Sequence, residues 1–354
     1  MARPKNKWEY RQQLADNFVN LLEESGLRWK QEWKTAGAPR NGVTNANYKG
    51  CNAFNLYLTA LINNYNDPRW VTMVQIMDKK NIYHPNEKWH LQAGSKASYV
   101  EYWFPYDRIN RKGMTWEDYR MELIHGRPGT EFYLRAVYTP VFNASLVEGM
   151  PEFQLAVNPD VEQDQIIDKL SSNMGVPIFN GGDRAYYSPA KDEIHLPLKE
   201  AFDSTYAYNS TALHELAHST GHSSRLNRLH GAMFGSSDYA YEELIAEMSS
   251  CFMSSDVQSE LTEEHITNHK AYVQSWVNQI REQPDVLMNA IKDAQAAANY
   301  MDWKAELITE LEYRKLSGQT LEVSTEMIEP EHVPNPIVEK EMTGQMTEPE
   351  QLVI

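Results

Sequence analysis

The chain lacks the features that place a protein in a membrane or outside the cell. No stretch approaches the roughly 20 consecutive apolar residues that a helix needs to cross a bilayer. Its first ten residues are basic, but no apolar run follows them, so no signal peptide is predicted. Two cysteines in 354 residues are too few for a disulfide framework. We therefore expect a cytoplasmic protein with no membrane partner.

Aromatic side chains are missing from the last part of the chain, residues 318–354, which is rich in Pro, Glu and Thr. Such a segment cannot bury enough apolar area to offset the entropy of ordering, so we predict an acidic disordered tail. The whole chain is 42% hydrophobic and 23% charged, which excludes fibrous and wholly disordered classes. Its length favours two domains at roughly 150 residues each.

Positive charge is scarce overall, since the formal net charge is −16, but it is unevenly distributed. Residues 1–112 hold 17 Lys and Arg against 10 Asp and Glu, whereas the remainder holds 16 against 39. A basic first third before an acidic body is a recognised indication of nucleic-acid contact.

Hydrophobic periodicity predicts an α+β protein of two domains. Helices are predicted at 8–24, 52–63, 161–170, 204–220, 240–255, 263–283 and 284–317, and strands at 98–106 and within 131–149. A hairpin is predicted at 185–197 around the turn SPAKD. The predicted organisation is a small α+β domain at 1–112, a connecting segment at 113–150, a mainly helical domain with a small sheet at 151–317, and the tail.

The sharpest motif is the HELAH sequence at 214–218. Positions i and i+4 lie on one helix face, so His214 and His218 can reach one ion. Glu215 sits about 100° around the helix, where it can approach a water molecule without being a ligand. That arrangement is typical of metal-assisted hydrolysis, with Glu215 as general base. The alternative is an amphipathic helix with two surface histidines.

A catalytic zinc site requires a third protein ligand. His222 is one candidate, but Gly221 intervenes and is expected to end the helix. The metzincin pattern requires its third histidine ten residues after the first, where this chain has Ser224.

The better candidate lies on the next predicted helix, YEELIAEMSSCF. At 100° per residue, Glu243 and Glu247 share one edge of its apolar face, while Glu242 is expected on the opposite side. Two carboxylates there are unfavourable without a cation. We assign Glu243 as the third ligand and Glu247 as acceptor from the free N–H of a ligand histidine, though the two roles could be exchanged. A solvated acidic edge is the alternative.

The predicted hairpin before the metal helix could line a cleft and pair with an extended peptide. Three of its side chains or neighbours, Tyr186, Tyr187 and Arg225, are candidate stabilisers of an oxyanion. For each of these three residues, an ordinary core or surface role is the stronger expectation. One zinc ion per chain is the expected cofactor, and another divalent ion is the second option.

The basic first third also holds six of the nine tryptophans. Proteins that bind single strands combine a basic groove with aromatic platforms for the bases, although most tryptophans fill a core. The candidate DNA-binding residues are Trp29, Lys30, Trp33, Lys34, Arg40, Tyr48, Lys49, Lys88, Trp89 and Lys96. No motif that reads base edges is visible, so weak sequence preference is expected.

Several segments resemble a known family. PRNGVTNANYKGCNAFNLYL is similar to the N-terminal module of ArdC-type antirestriction proteins. Five further segments resemble the zincin-like metallopeptidase domain of the same proteins. They are VFNASLVEG, GGDRAYYSPAKDEIHLP, HELAHSTGHSSRL, YEELIAE and HKAYVQSWVNQI. The resemblance implies a first domain that binds single-stranded DNA and a second with a zinc-peptidase fold. It places metal ligands at His214, His218 and Glu243, and the general base at Glu215.

The resemblance also implies a mobile-element protein that protects incoming unmodified DNA from host restriction. Its expected partners are single-stranded DNA and host restriction proteins, or another DNA-bound protein as peptidase substrate. The alternative is a non-enzymatic DNA-binding antirestriction protein whose metal is structural. A conjugation accessory that delivers DNA to a primase is a third, weaker hypothesis.

Overall fold

The computed structural model describes residues 4–26, 38–153, 163–202, 204–229, 237–253 and 270–318. They form two compact units, one made of residues up to 100 together with 139–318, the other of residues 101–138. The acidic tail from 319 onward and the candidates Trp29, Lys30, Trp33 and Lys34 lie outside the described residues. So do residues 161–162, 254–255 and 263–269 of three predicted helices.

The described residues confirm the predicted α+β class. The helices are α1 Lys7–Ser25, α2 Gly50–Asn63, α3 Met73–Met77, α4 Trp116–Ile124, α5 Gln163–Met174, α6 Thr205–Ser219, α7 Ser237–Phe252, α8 Lys270–Glu282, α9 Asp285–Lys304 and α10 Glu310–Leu316. The strands are β1 Arg40–Asn41, β2 Arg69–Thr72, β3 His90–Leu91, β4 Ser98–Asp107, β5 Lys112–Gly113, β6 Phe132–Asn143, β7 Val147–Glu148, β8 Ile178–Asn180, β9 Tyr186–Ser188 and β10 Glu193–Leu196. None of the described helices is long and apolar enough to cross a membrane.

The first helix of the chain packs into a core that it shares with helices far along the sequence. Its N-cap Asn6 accepts a hydrogen bond from the backbone of Glu9, and its buried face includes Leu14 and Phe18. Phe18 meets Phe54 of α2 edge to face at 5.0 Å. Buried side chains of α7, α8 and α9 complete this cluster. The N-terminal helices are therefore part of the core that supports α7.

Short strands surround this helical core in the same unit. β2 pairs in parallel with β1 and antiparallel with the end of β6, while β3 pairs antiparallel with β7. Trp70 and Val71 of β2 are almost fully buried on opposite faces. Gly149, which the sequence marks as a boundary, passes close to another backbone. A Cβ there would lie 2.3 Å from the carbonyl oxygen of Lys88, so only glycine fits.

A second core in this unit lies beneath a three-stranded sheet. β10 is the central strand, parallel to β8 and antiparallel to β9, which confirms the predicted hairpin. Its buried Ile194 and Leu196 contact apolar residues of α5 and α6. Asp192 has a positive φ of 56°, which closes the turn between β9 and β10. The sheet thus holds the helix that carries the HELAH motif.

The smaller unit is built on β4 and β6, which are hydrogen-bonded neighbours and continue from the one unit into the other. β5 pairs antiparallel with the end of β4. α4 begins at Thr115, whose side chain caps the helix by accepting from the backbone of Asp118. The ring of Tyr119 on α4 then packs edge to face against Phe132 at 5.2 Å.

The prediction of one helix over 284–317 was wrong, because this segment forms two helices. α9 ends at Lys304, and Glu306 adopts a positive φ of 63°, which a continuing helix cannot accommodate. Thr309 then caps α10, and the carboxylate of Glu312 accepts a hydrogen bond from the backbone N–H of Thr309. This reciprocal capping box favours a new helix start within an otherwise periodic segment.

We predict that Phe18→Ala destabilises the whole larger unit. The substitution leaves a cavity between α1 and α2, at a cost of about 3–5 kcal/mol in the free energy of unfolding. Urea unfolding followed by tryptophan fluorescence measures this cost. Trp8→Ala on the same helix is the matched control, since Trp8 is 59% exposed, and should change stability by less than about 0.5 kcal/mol. Equal effects of the two substitutions would contradict the shared core.

Candidate metal centre

The HELAH motif lies in the last two turns of α6. Ser204 starts this helix by accepting a hydrogen bond from the backbone of Ala207, and Thr220 ends it. Gly221 follows where there is no room for a side chain, because a Cβ would lie 2.8 Å from Leu229. Helical spacing then brings the Nε2 atoms of His214 and His218 to within 3.1 Å of each other.

Glu243 of α7 completes a group of three metal-binding side chains. Its two oxygens lie 3.4 Å from Nε2 of His214 and 3.7 Å from Nε2 of His218. The three donor atoms all lie within 4.8 Å of one another, and the three residues are buried or nearly so. Among the described residues this is the one group of at least three His, Cys, Asp or Glu side chains that could hold an ion. The predicted ligand set is therefore brought together.

The donor atoms suit a zinc-like ion. Nε2 of His214 lies 3.4 Å from one oxygen of Glu243, and Nε2 of His218 lies 3.7 Å from the other oxygen. One donor atom from each of the three residues lies within 4.8 Å of the other two. Two imidazoles and one carboxylate are also the donor set of many catalytic zinc sites. The residues present therefore suit a tetrahedral divalent ion.

The electrostatics of the ligands also favour a cation. Burial alone would raise the pKa of Glu243, but His218 and His214 outweigh it and hold that pKa well below its ordinary value. Burial would likewise lower the pKa of His218, yet Glu243 and Glu242 raise it well above its ordinary value. The cluster thus stabilises positive charge at the point where the Nε2 atoms converge.

Glu215 lies beside the ligands without joining them. Burial raises the pKa of its carboxyl group, and the nearby charge of Glu243 adds to this effect. His214, His218 and a hydrogen bond from the backbone N–H of Tyr187 act in the opposite direction. A carboxylate with a raised pKa, next to a metal-binding group, is a stronger base than a solvated glutamate, as a general base requires.

Glu242 contacts the ligands, contrary to the expectation that it points away from them. One of its oxygens lies 3.2 Å from Nδ1 of His218, on the side of the ring away from the other ligands. Arg228 donates to both oxygens of Glu242, at 2.8 and 2.9 Å, and to the carbonyl of Ala217. Helical periodicity on α7 does not show which side chains of α6 lie beside Glu242. Arg228 and Glu242 therefore fix the ring of His218.

Glu247, predicted to accept from a ligand histidine, lies behind the other ring. Its carboxylate is completely buried, and one oxygen is 3.6 Å from Nδ1 of His214. This distance is longer than an ordinary hydrogen bond. The proximity agrees with the predicted placement, and the hydrogen-bonding role itself stays a prediction.

The three candidate oxyanion stabilisers have other contacts. The hydroxyl of Tyr187 bonds to Asp192 at 2.7 Å, and burial raises the pKa of this phenol. Arg225 forms an ion pair with Asp192 and donates to the carbonyl of Ser219. The ring of Tyr186 stacks on His195 at 4.8 Å. Tyr187 and Arg225 thus tie the hairpin to the end of α6, and their role toward an oxyanion stays a prediction.

His222, the rejected third ligand, faces away from the donor group. Its Nδ1 lies 2.8 Å from the hydroxyl of Ser224 and 3.7 Å from Asp192. A hydroxyl that the sequence did not single out lies closer to the ligands. Tyr239, one turn before Glu243, hydrogen-bonds to that carboxylate, and burial together with the charge of Glu243 raises the pKa of its phenol.

The described DNA-binding candidates have unequal exposure. Lys88 and Lys96 are exposed, whereas Arg40 and Tyr48 are half-buried, and Nζ of Lys49 lies 3.5 Å from Asn299.

The prediction that Trp89 binds DNA was wrong, because its ring is buried and packs with Val71 and Phe142. One face of its ring is covered by His84 at a centroid distance of 3.9 Å, so it offers no open platform for a base.

We predict that Glu243→Ala weakens zinc binding by more than about 100-fold, because it removes a ligand rather than a group behind one. His222→Ala should bind zinc like the wild type, since His222 lies outside the donor group. Competition with a chromophoric chelator measures both affinities. An empty site in His222→Ala beside a filled site in Glu243→Ala would contradict the ligand set.

Glu242→Gln should weaken zinc binding by about 10- to 100-fold, because His218 loses its charged acceptor and Arg228 loses its ion pair. Competition with the same chromophoric chelator measures this zinc affinity. Glu200→Gln is the matched control. It changes an exposed glutamate between β10 and α6, and it should leave the zinc affinity unchanged. Wild-type affinity in Glu242→Gln would show that this carboxylate does not support the metal.

Comparison with known proteins identifies both halves of the chain. Residues 9–127 match the N-terminal domain of the anti-restriction factor ArdC, and residues 165–293 match the zincin-like metallopeptidases. The chain is 30% identical over 308 and 310 residues to two proteins named DNA primase TraC from Escherichia coli. These matches cover 83% of this chain but only 20% and 27% of the primases, so the chain spans about a fifth to a quarter of their length.

Other relatives are matched over nearly their full length. An uncharacterized protein, y4eC, of Sinorhizobium fredii (strain NBRC 101917 / NGR234) is 26% identical over 304 residues, which is 84% of this chain and 93% of that protein. Crystal structures of the antirestriction protein ArdC from plasmid R388, one metal-free and one Mn(II)-bound, superpose with TM-scores of 0.63 and 0.62. They are 26% identical, and the matches cover 85% and 84% of this chain and 99% of theirs. The chain therefore belongs to the ArdC-type proteins, in which an ArdC N-terminal domain precedes a zincin-like metallopeptidase domain.

Proposed function

We propose that this protein protects the incoming unmodified DNA of a mobile element from host restriction. In this proposal it binds single-stranded DNA with weak sequence preference and hydrolyses a host restriction protein or another DNA-bound protein. Its similarity to an antirestriction protein and to two DNA primases supports a role with DNA in transfer. The His214–His218–Glu243 group beside Glu215 is the observation that carries the peptidase part.

Zinc is the ion that we propose for this group, one per chain, because two imidazoles and a carboxylate suit it and the three donor atoms converge on one position. When bound, zinc supplies a Lewis acid for a peptide carbonyl and lowers the pKa of water. The ArdC relative was crystallised with Mn(II), so manganese is the second candidate. His218, held by Glu242, and His214, with Glu247 behind it, orient the two Nε2 atoms.

Glu215 is the proposed general base. Its buried carboxylate accepts a proton from the attacking water and returns it to the leaving amine. The raised pKa makes the carboxylate a stronger base than a solvated glutamate. The backbone N–H of Tyr187 on β9 also interacts with this carboxylate and lowers its pKa slightly against the effect of burial.

The substrate is proposed to be an extended peptide along β9. In the sheet that the structure describes, β9 is an edge strand with β10 on one side only, and an edge can pair with an added strand. Tethering to DNA by the basic first third would raise the local concentration of DNA-bound proteins. The exposed Lys88 and Lys96 belong to this basic part.

We predict that Glu215→Gln abolishes peptide hydrolysis and protection while zinc and DNA binding persist. Loss of a general base lowers the rate by about 100- to 10,000-fold, and the substitution removes no ligand. The measurement is transfer of unmodified plasmid into a restricting and a non-restricting host, beside zinc content and oligonucleotide binding. Glu282→Gln, an exposed glutamate, is the matched control.

A second function is favoured by the burial of the ligands, since His214 and Glu243 are only 3% and 4% exposed. A metal enclosed so completely could serve folding, with protection arising from DNA coating or from occupation of a restriction complex. Full protection by Glu215→Gln would support this function and reject hydrolysis.

The two primase relatives favour a third function, in which the chain delivers transferred DNA to a primase. A pull-down that recovers no replication protein would count against it.

A further inference from the structure

The smaller unit, residues 101–138, carries an aromatic face that the sequence placed partly in a connecting segment. Tyr102, Phe104 and Tyr106 alternate along β4, and side chains two residues apart point to the same face of a strand. Tyr106 meets Tyr133 of the neighbouring strand β6 at a centroid distance of 5.1 Å. Tyr102 and Phe104 stack at 6.2 Å with an angle of 18° between the rings.

This aromatic face is not a core face. The unit's helix α4 packs on the opposite side, where Tyr119 contacts Phe132 and where Pro105 and Asp107 are buried. Tyr102 and Tyr133, by contrast, are 42% and 40% exposed. Phe104 and Tyr106 between them are half-buried. Aromatic rings usually fill a core, so the two exposed tyrosines indicate a binding surface.

Arginines are interleaved with the rings. The guanidinium of Arg108 lies over Tyr133 at 4.9 Å, and that of Arg135 lies over Tyr106 at 5.5 Å. Both arginines are exposed. We call the set Tyr102, Phe104, Tyr106, Arg108, Tyr133 and Arg135 the Tyr–Arg face.

The positive charge of this face is not offset by neighbouring acids. Three carboxylates of the unit, Asp107, Glu122 and Glu131, are all engaged by Arg127, at 2.7, 3.3 and 2.9 Å. Within the residues that the structure describes, Arg108 and Arg135 have no carboxylate within 4 Å. The Tyr–Arg face therefore presents two free cations beside flat rings and complements a polyanion that carries flat groups.

We infer that the Tyr–Arg face binds single-stranded DNA, with bases stacked on the exposed rings of Tyr102 and Tyr133 and phosphates held by Arg108 and Arg135. This rests on the proposed function, which includes single-strand binding but does not say where the bases stack. A duplex hides its base faces, so stacking selects unpaired strands. The face has no acidic side chain to accept from cytosine, and rings stack on any base, so sequence preference stays weak.

Fluorescence anisotropy of the full chain with a labelled 20-nucleotide oligothymidine tests this inference. Tyr102→Leu with Tyr133→Leu should weaken binding by about tenfold or more, because leucine keeps an apolar side chain but has no ring for a base. Arg108→Gln should reduce the slope of log affinity against log salt concentration by about 0.7, the value for one phosphate contact on a single strand. Matched controls are Trp8→Leu, an exposed ring on α1, and Arg120→Gln, an exposed arginine on α4.

The outcomes separate this inference from the proposed function. If the wild type does not bind the oligonucleotide, single-strand binding itself is rejected, and this inference falls with it. If the wild type binds and the double leucine variant binds equally well, DNA binding stands and the Tyr–Arg face is rejected as its location. Sedimentation of a wild-type dimer that the leucine variant abolishes, with unchanged DNA affinity, would identify a self-association surface and also overturn the inference.

Discussion

The meeting of α6 and α7 around buried charge is the constraint on which the rest of the structure depends. Four carboxylates, Glu215, Glu242, Glu243 and Glu247, lie buried here with His214 and His218. Burial of like charges is costly unless a cation and hydrogen-bond donors compensate. Arg228 compensates Glu242, and the donor group provides a position for a divalent ion. The turn after Gly221 and the hairpin around Asp192 then hold the end of α6 in place.

The helix α7, which carries Glu243, contributes buried side chains to both apolar cores of the larger unit. Its Leu244 and Met248 pack with the core that includes Phe18 of α1, whereas Ala246 packs with the core beneath the sheet. Glu243 lies between these two apolar surfaces. The position of the third metal ligand is consequently set by packing with the N-terminal helices as well as by α6.

Periodicity predicted most of this arrangement, because each inference concerned residues close together on one element. The i, i+4 histidines and the carboxylate edge at Glu243 are properties of single helices, and both were found where expected. The ion pair of Arg228 with Glu242 joins residues 14 apart in the sequence, so no local pattern predicts it. Composition favoured Trp89 as a platform, but only tertiary packing shows that His84 covers it. The break before α10 could have been found, since Thr309 and Glu312 have capping-box spacing.

The shared position of α7 has a thermodynamic consequence. One face of the helix belongs to the core around Phe18, and the adjoining edge supplies Glu243 to the ion. Any free energy that couples ion binding to packing around Phe18 therefore acts equally in both directions, since linkage is reciprocal.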